Sequence, residues 1–457
     1  MLAEVAAAGL PDWRLNKRLQ ILVERFTAAP EQSIPQVMGK RDFKAAYEFL
    51  DNDRVTHSAI VAGQRQASLE RVERELERGC RTVLLVQDSS SFNFKAHPAT
   101  EGLGPLENQH TSGFLTHSTL AISADGVPLG LIDQQVWVRD RQQMGKSGSR
   151  HERAFVDKES YKWVRGLPEL CPQREERDIQ WVTIADREAH IYEFFAEVLD
   201  RDQQALVRAS RGRSFTSDGL ELFAAVSQLP VEQHYSLHLT RHPEREEREA
   251  QVELRFGSIT LVRPKRAETE RETVTLWVVE VKEPHPPQGE QAIHWVLLTT
   301  LPVATLAAAQ QIVQWYSYRW LIERFHYVLK SGCHLEERQL RTQPRLERLL
   351  AVFDQVAWHL LWLTYQARVT PERDCLVALD MDEWQALYAT IHQTTDLPTM
   401  PPTLHEAVGW IAQLGGFLGR AGDGEPGVKV LWRGWTRLQD IVATWRLLRP
   451  SRDNGNA

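Results

Sequence analysis

Two short apolar runs, each closed by an aspartate, constrain the fold of this chain most. Thr82-Val-Leu-Leu-Val-Gln-Asp88 and Gln180-Trp-Val-Thr-Ile-Ala-Asp186 read as strands buried on both faces, the kind found in the middle of an open sheet covered by helices. Ligand and metal sites collect where the strands of such sheets end, so an acid at each carboxyl end has chemical meaning. Taken singly, each aspartate also suits a turn or a helix cap.

A third stretch, Tyr316-Ser-Tyr-Arg-Trp-Leu-Ile-Glu-Arg-Phe-His-Tyr-Val-Leu-Lys330, predicts one helix. Helical spacing puts Tyr316, Arg319, Glu323 and Lys330 on one face, while Trp320, Leu321, Phe325, Val328 and Leu329 dock the other sides against a core. A salt-bridged surface helix would look the same, as would a helix lining a cleft. Asp88, Asp186 and Glu323 together are three hard oxygen ligands. Two divalent ions about 3.5–4 Å apart on such ligands activate a water or a 3′ hydroxyl on one side of a phosphodiester and stabilise the leaving oxygen on the other. Magnesium needs no closed protein cage for this. In that setting Arg319 and Lys330 neutralise flanking phosphates, and Tyr316 donates a hydrogen bond to one.

At 457 residues the chain predicts two or three domains. Residues 1–70 predict a small basic helical module that grips a DNA backbone: Asp12 caps a helix with Leu15, Leu19, Leu22, Val23 and Phe26 inside, and Lys40, Arg41 and Lys44 open a second. A solvated charged face is the other reading of those cations. Residues 71–365 predict the catalytic domain, with Asp125-Gly126 as a hairpin turn, 140–148 as a loop and a helix over 157–167. Within it, 205–295 predicts an antiparallel β insertion with charged turns at 244–249 and 265–272, after which the parent domain resumes at His294. Residues 366–457 predict a helical unit whose aromatic surface, Trp410, Phe417, Trp432, Trp435 and Trp445 among it, closes a small core or makes a dimer contact. Arg338, Arg341, Arg345 and Arg348 follow the third stretch closely.

The formal net charge is −7, which does not exclude a nucleic-acid partner, because a basic groove hides easily in an acidic total. Cys80, Cys171, Cys333 and Cys375 are far apart and suggest neither a zinc site nor a disulfide framework. With no secretory signal and no apolar run long enough for a bilayer, the expected setting is a reducing cytoplasm, nucleoid-associated when bound to DNA, without membrane contact.

The spacing Tyr316-x2-Arg319-x3-Glu323-x6-Lys330 resembles the YREK signature of one branch of the bacterial insertion-sequence DDE transposases. Leu-Leu-Val-Gln-Asp88-Ser-Ser-Ser, Asp186-Arg-Glu-Ala, Trp295-Val-Leu-Leu-Thr, Leu414-Gly-Gly-Phe417 and Leu431-Trp-Arg-Gly-Trp435 match that family in order, over nearly the whole chain. The resemblance implies an α/β fold, with an RNase H-like domain interrupted by the β insertion and flanked by helical domains. It implies Asp88, Asp186 and Glu323 as ligands of two Mg2+ ions, for which Mn2+ substitutes. It implies a cut-and-paste enzyme that binds terminal inverted repeats, synapses them as a homodimer, cuts through a hairpin and joins the 3′ ends to target DNA. Trp295 would stack on a base flipped out of that hairpin, Arg208 would contact DNA near the cut, and Arg14, Arg18 and Lys40 would meet the transposon end. A core role for Trp295 and an ordinary surface charge at Arg208 are the alternatives. Two other readings of the whole stay open: a DNA-binding inhibitor of transposition that does not cut, and an RNase H-like nuclease without strand transfer.

Overall fold

In the computed structural model, residues 7–108, 110–143, 153–167, 179–239, 248–420 and 422–448 are described. Strand β1 (Thr82–Asn93) runs well past the apolar run, because β3 (Ser112–Ser123) pairs with it antiparallel from Val83↔Ser123 to Asn93↔Gly113. Asp88 therefore sits in mid-strand, opposite Ser118, and not at the carboxyl end that the sequence predicts. The parallel neighbour β5 (Gln180–Ala185) does stop early: its last pair with β1 is Val86↔Ile184. Continuing that register by two residues sets Asp88 opposite Asp186, where the two strands part.

Helix α1 (Trp13–Ala28) is capped by the Asp12 carboxylate, which accepts from the Arg14 N–H at 2.9 Å. Helix α2 (Ile34–Asp51) breaks at Gly39, whose φ of +67° suits glycine, so Lys40 does begin a second helical piece. Helix α3 (His57–Glu77) then packs on β4 (Pro128–Trp137). The β3–β4 hairpin turns through Asp125-Gly126, with Gly126 at φ +91° and its N–H on the Ser123 carbonyl. The short strand β2 (Gly104–Pro105) edges β3.

Residues 157–167 do not form the predicted helix. Two 3-10 turns lead to a four-residue helix, α4 (Lys162–Arg165). Of the predicted loop at 140–148, Arg141–Gln143 form a 3-10 turn and 144–148 lie outside the described residues. Beyond β5, α5 (Tyr192–Asp200) returns the chain to β6 (Gln204–Arg208), which pairs parallel with β5 and so belongs to the parent sheet. A short α6 (Leu222–Val226) precedes β7 (Gln233–Leu239), β8 (Arg248–Val262) and β9 (Thr273–Lys282), all antiparallel. Residues 250–256 and 259–262, which look like two strands in sequence, are one long β8.

These strands are not a separate sheet. The strand β10 (His294–Thr299) pairs with both β6 and β9, so the antiparallel part is welded onto the parent sheet in the order β2-β3-β1-β5-β6-β10-β9-β8-β7, with β4 beyond β3. The chain then continues through α7 (Leu306–Ser317), α8 (Trp320–Tyr327), a π-helical turn (Val328–Gly332) and the 27-residue α9 (Gln343–Val369). Three more helices follow: α10 (Met381–His392), α11 (Leu404–Leu414) and α12 (Val428–Leu448).

Apolar residues of α1, α2, α7, α8 and α9, of one face of the sheet and of α10 to α12 form one continuous core. The other face, with α4, α5 and α6, has its own. No helix among the described residues is long and apolar enough to cross a membrane.

Candidate active site

The predicted site helix is broken in two places that matter. Tyr316 lies in the last turn of α7, Tyr318 and Arg319 make a turn, and Glu323 lies in α8; Lys330 then falls on the π-helical turn, whose extra residue per turn widens the helix. Arg319 still reaches Glu323 at 2.5 Å in an i,i+4 ion pair. Phe325, Leu321 and Ile322 hold α8 in the core, leaving Glu323 half-buried toward the acids of β1 and β5.

Asp88 is the electrostatic centre. Burial pushes its carboxyl up to about 7; the Arg319 guanidinium opposes this, and the negative charges of Asp186 and Glu323 reinforce it. Asp186 is likewise raised, chiefly by burial, against the pull of Arg319 and Lys162. Among the described residues the two aspartates accept only local backbone bonds, Asp88 from the Ser89 N–H and Asp186 from the Glu188 N–H, both at 2.8 Å. The three acids thus share one field. Among the described residues, no three His, Cys, Asp or Glu side chains close into a metal-sized cluster. Three hard carboxylates whose repulsion is only partly offset by one guanidinium fit a divalent cation.

Cations and aromatics complete the site. Tyr316, 5% exposed, is raised by burial while Arg319 and Arg208 on either side oppose the shift. Arg208, at the end of β6, is lowered by burial despite Tyr316 and donates to the His294 carbonyl at 3.1 Å. Trp295 stands edge-on to Tyr316, ring centres 5.6 Å apart, and is only partly buried. Arg319 is held above its ordinary value by Tyr316, Glu323 and Asp88 against its burial, and its buried Nε has no hydrogen-bond partner among the described residues. Lys330 is lowered by burial, with Glu336 and Asp88 opposing, and lies 5.5 Å from the Phe92 ring centre.

The structure therefore gathers Asp88, Asp186, Glu323, Tyr316, Arg319, Lys330, Trp295 and Arg208 in one neighbourhood. It does not bring the N-terminal candidates there. Arg14 and Lys40 are exposed on α1 and α2, and Arg18 is ion-paired with Asp42 at 3.1 Å. Sequence reasoning missed Lys162, whose ammonium is placed by Glu188 after β5 and by Trp137 of β4. Its one signal in the sequence is a lysine set between Tyr161 and Trp163.

Comparison with known families adds three matches in chain order. Residues 1–55 match the family described as transposase DNA-binding, residues 146–352 the transposase DDE domain, and residues 355–455 the transposase Tn5 dimerisation domain.

Proposed function

For this chain, a Tn5-type DDE transposase with DNA-binding, DDE and dimerisation parts, we propose that Asp88, Asp186 and Glu323 hold two Mg2+ ions at the cut in transposon-end DNA. The observation that carries this is the shared field of the three acids, in which Asp88 is raised by both of the others. Mn2+ has the same preference for oxygen ligands and substitutes. The strand order β4-β3-β1-β5-β6, with antiparallel strands added through β10, supports an RNase H-like domain whose β insertion begins only after β6 and not at 205. That domain spans 71–365, between an end-binding unit at 1–70 and a dimerisation unit at 366–457. The Tyr316, Arg319, Glu323 and Lys330 set supports membership of the YREK branch.

Bound divalent ions supply activation of a water or 3′ hydroxyl and stabilisation of the leaving oxygen. The chain's own residues do the rest. The Arg319 guanidinium, partly exposed beside Glu323, and Lys330 neutralise the phosphates flanking the cut, and Tyr316 donates to one of them. Arg208 keeps the strand against the end of β6. Trp295, already braced by Tyr316, offers a face to the base displaced when the freed 3′ hydroxyl closes a hairpin. The same acids then serve transfer of the 3′ ends into target DNA by a homodimer holding two inverted repeats. Arg14, Arg18 and Lys40 belong to end recognition, Arg18 after exchanging Asp42 for a phosphate. The enzyme works in the bacterial cytoplasm, at the nucleoid.

The test uses duplexes carrying the inverted repeats that flank the gene. Asp88→Ala, Asp186→Ala and Glu323→Ala are each expected to lose at least about 1,000-fold in nicking while still shifting DNA in a gel, comparable to removing a main electrostatic group from an active site. Nicking retained by any of them overturns the assignment. Wild type that shifts DNA with Mg2+ and never cuts would be a binding inhibitor, and one that cuts without joined products a plain nuclease. Trp295→Ala is expected to slow hairpin closure about 10-fold, within the roughly 1–3 kcal/mol of a base stack, and to leave first-strand nicking nearly intact. Equal slowing of both steps contradicts the stacking role.

A further inference from the structure

Side chains alternate along β1, so Gln87 and Ser89 point to the face opposite Asp88. There they meet His117, fully buried, through Gln87 Oε1 at 3.1 Å and Ser89 Oγ at 2.9 Å. His117 stands edge-on to Trp163 of α4, centres 4.6 Å apart. The residue before Trp163 is Lys162, whose side chain is 7% exposed. Its ammonium lies between the rings of Trp137 and Trp163 and, among the described residues, pairs with Glu188 at 3.2 Å, a side chain 65% exposed. Glu188 in turn gives its backbone N–H to the Asp186 carboxylate. A short chain of contacts thus runs from α4 through Lys162 and Glu188 to Asp186, on the sheet face away from α8.

Two obvious roles fit this lysine poorly. An ammonium with so little exposure cannot reach a DNA phosphate without leaving its pocket. Nor does the pair serve stability well, since a buried charge is costly to desolvate and apolar replacements at such sites are often neutral or stabilising. What the ammonium does hold is the Glu188 side chain, which belongs to the turn Arg187–Ala189.

We propose that Lys162 is a positioning residue for Asp186: by holding Glu188 it fixes the turn after β5 so that the Asp186 carboxylate faces Asp88. The inference rests on the reading of these aspartates as metal ligands. Partners of metal ligands commonly contribute 10- to 100-fold in affinity.

The experiment uses the full-length protein without DNA and ferrous iron as the probe, with ascorbate and peroxide to cut the backbone beside bound iron. Wild type is expected to be cut next to both Asp88 and Asp186. In Lys162→Met and in Glu188→Gln the iron concentration for half-maximal cutting at Asp186 is expected to rise about tenfold. Melting temperature should not fall, and Lys162→Arg should restore the wild-type value. Wild-type iron dependence in both variants overturns the inference alone, as does a loss that follows a drop in melting temperature in both. Absence of cutting at either aspartate in wild type overturns the metal-ligand reading and this inference with it.

Discussion

Ser118, the residue paired with Asp88, is the middle of a buried polar string that bears on pH and not on catalysis. His326 Nε2 lies 3.3 Å from its Oγ, the Gln134 amide donates to it at 3.2 Å and to Asp354 at 3.0 Å, and His57 Nε2 meets Gln134 Oε1 at 2.7 Å. Burial, helped by Lys330, drives His326 down to about 3, and burial with Arg213 nearby drives His190 down to about 4. A histidine lowered in the fold stays neutral there while the unfolded chain takes up a proton near pH 6.5. Its contribution is therefore complete above about pH 6.5 and drains away as pH falls toward the folded value. At pH 5 the loss is about 2 kcal/mol for each such histidine, from 1.36 kcal/mol per pH unit. Buried carboxyls raised in the fold, Asp88 first among them, act with the opposite sign over the same window, so the check is made on the variant and not on the wild-type total: urea unfolding is compared at pH 7 and pH 5. In His326→Gln the difference between the two pH values should shrink by about 2 kcal/mol, whatever the variant costs at pH 7. An unchanged difference would mean that His326 is protonated in the fold.

Among the elements, α11 and α12 show why glycine occurs in both C-terminal motifs. A Cβ on Gly434 would run into the Ile411 carbonyl and one on Gly415 into the Val430 carbonyl, so these helices cross in backbone contact. Side-chain overpacking costs about 1–3 kcal/mol, and backbone cannot rotate aside. Gly434→Ala should therefore destabilise by at least about 3 kcal/mol. Gly409→Ala, in the same α11 but with open space around it, should gain up to about 1 kcal/mol from helix propensity. Thermal unfolding of the two variants checks both signs, and a stable Gly434→Ala would mean that the helices are not in contact there. Signals carried by neighbouring residues, such as the apolar strands, the Asp125-Gly126 turn, the Asp12 cap and the meeting of Tyr316, Arg319 and Glu323, were legible in the sequence. What depends on distant partners was not. The length of β1 past Asp88 is set by β3, the fusion of β9 to β6 is set by β10, and the place of Lys162 is set by Trp137 and Glu188, each more than twenty residues away.

At the scale of the molecule, α9 ties the N-terminal helices to the catalytic sheet, and the arginines that trail the site helix are its fasteners. Arg348, 8% exposed, donates to the Val55 carbonyl at 2.6 Å and the Leu50 carbonyl at 2.7 Å, and Arg338 to the carbonyls of Pro30 and Gln32. From the far end, Trp435 of α12 donates to the Thr27 carbonyl at 3.0 Å. The part that matches a transposase DNA-binding family is thus fixed against the part that matches a transposase DDE domain. Charged hydrogen bonds of this kind contribute about 1.5–3 kcal/mol each, so Arg348→Ala should cost about 3 kcal/mol or more. Arg345→Ala removes only an ion pair with the largely exposed Asp51, and should cost under about 1 kcal/mol. Hydrogen exchange should show residues 34–55 opening faster in Arg348→Ala and not in Arg345→Ala. If the tie sets the distance from bound DNA end to scissile phosphate, Arg348→Ala will bind end duplexes nearly as tightly as wild type yet nick them more slowly and at scattered phosphates. A single, unshifted nick at the wild-type rate would show instead that the N-terminal helices act as a tethered grip, independent of the core beneath them.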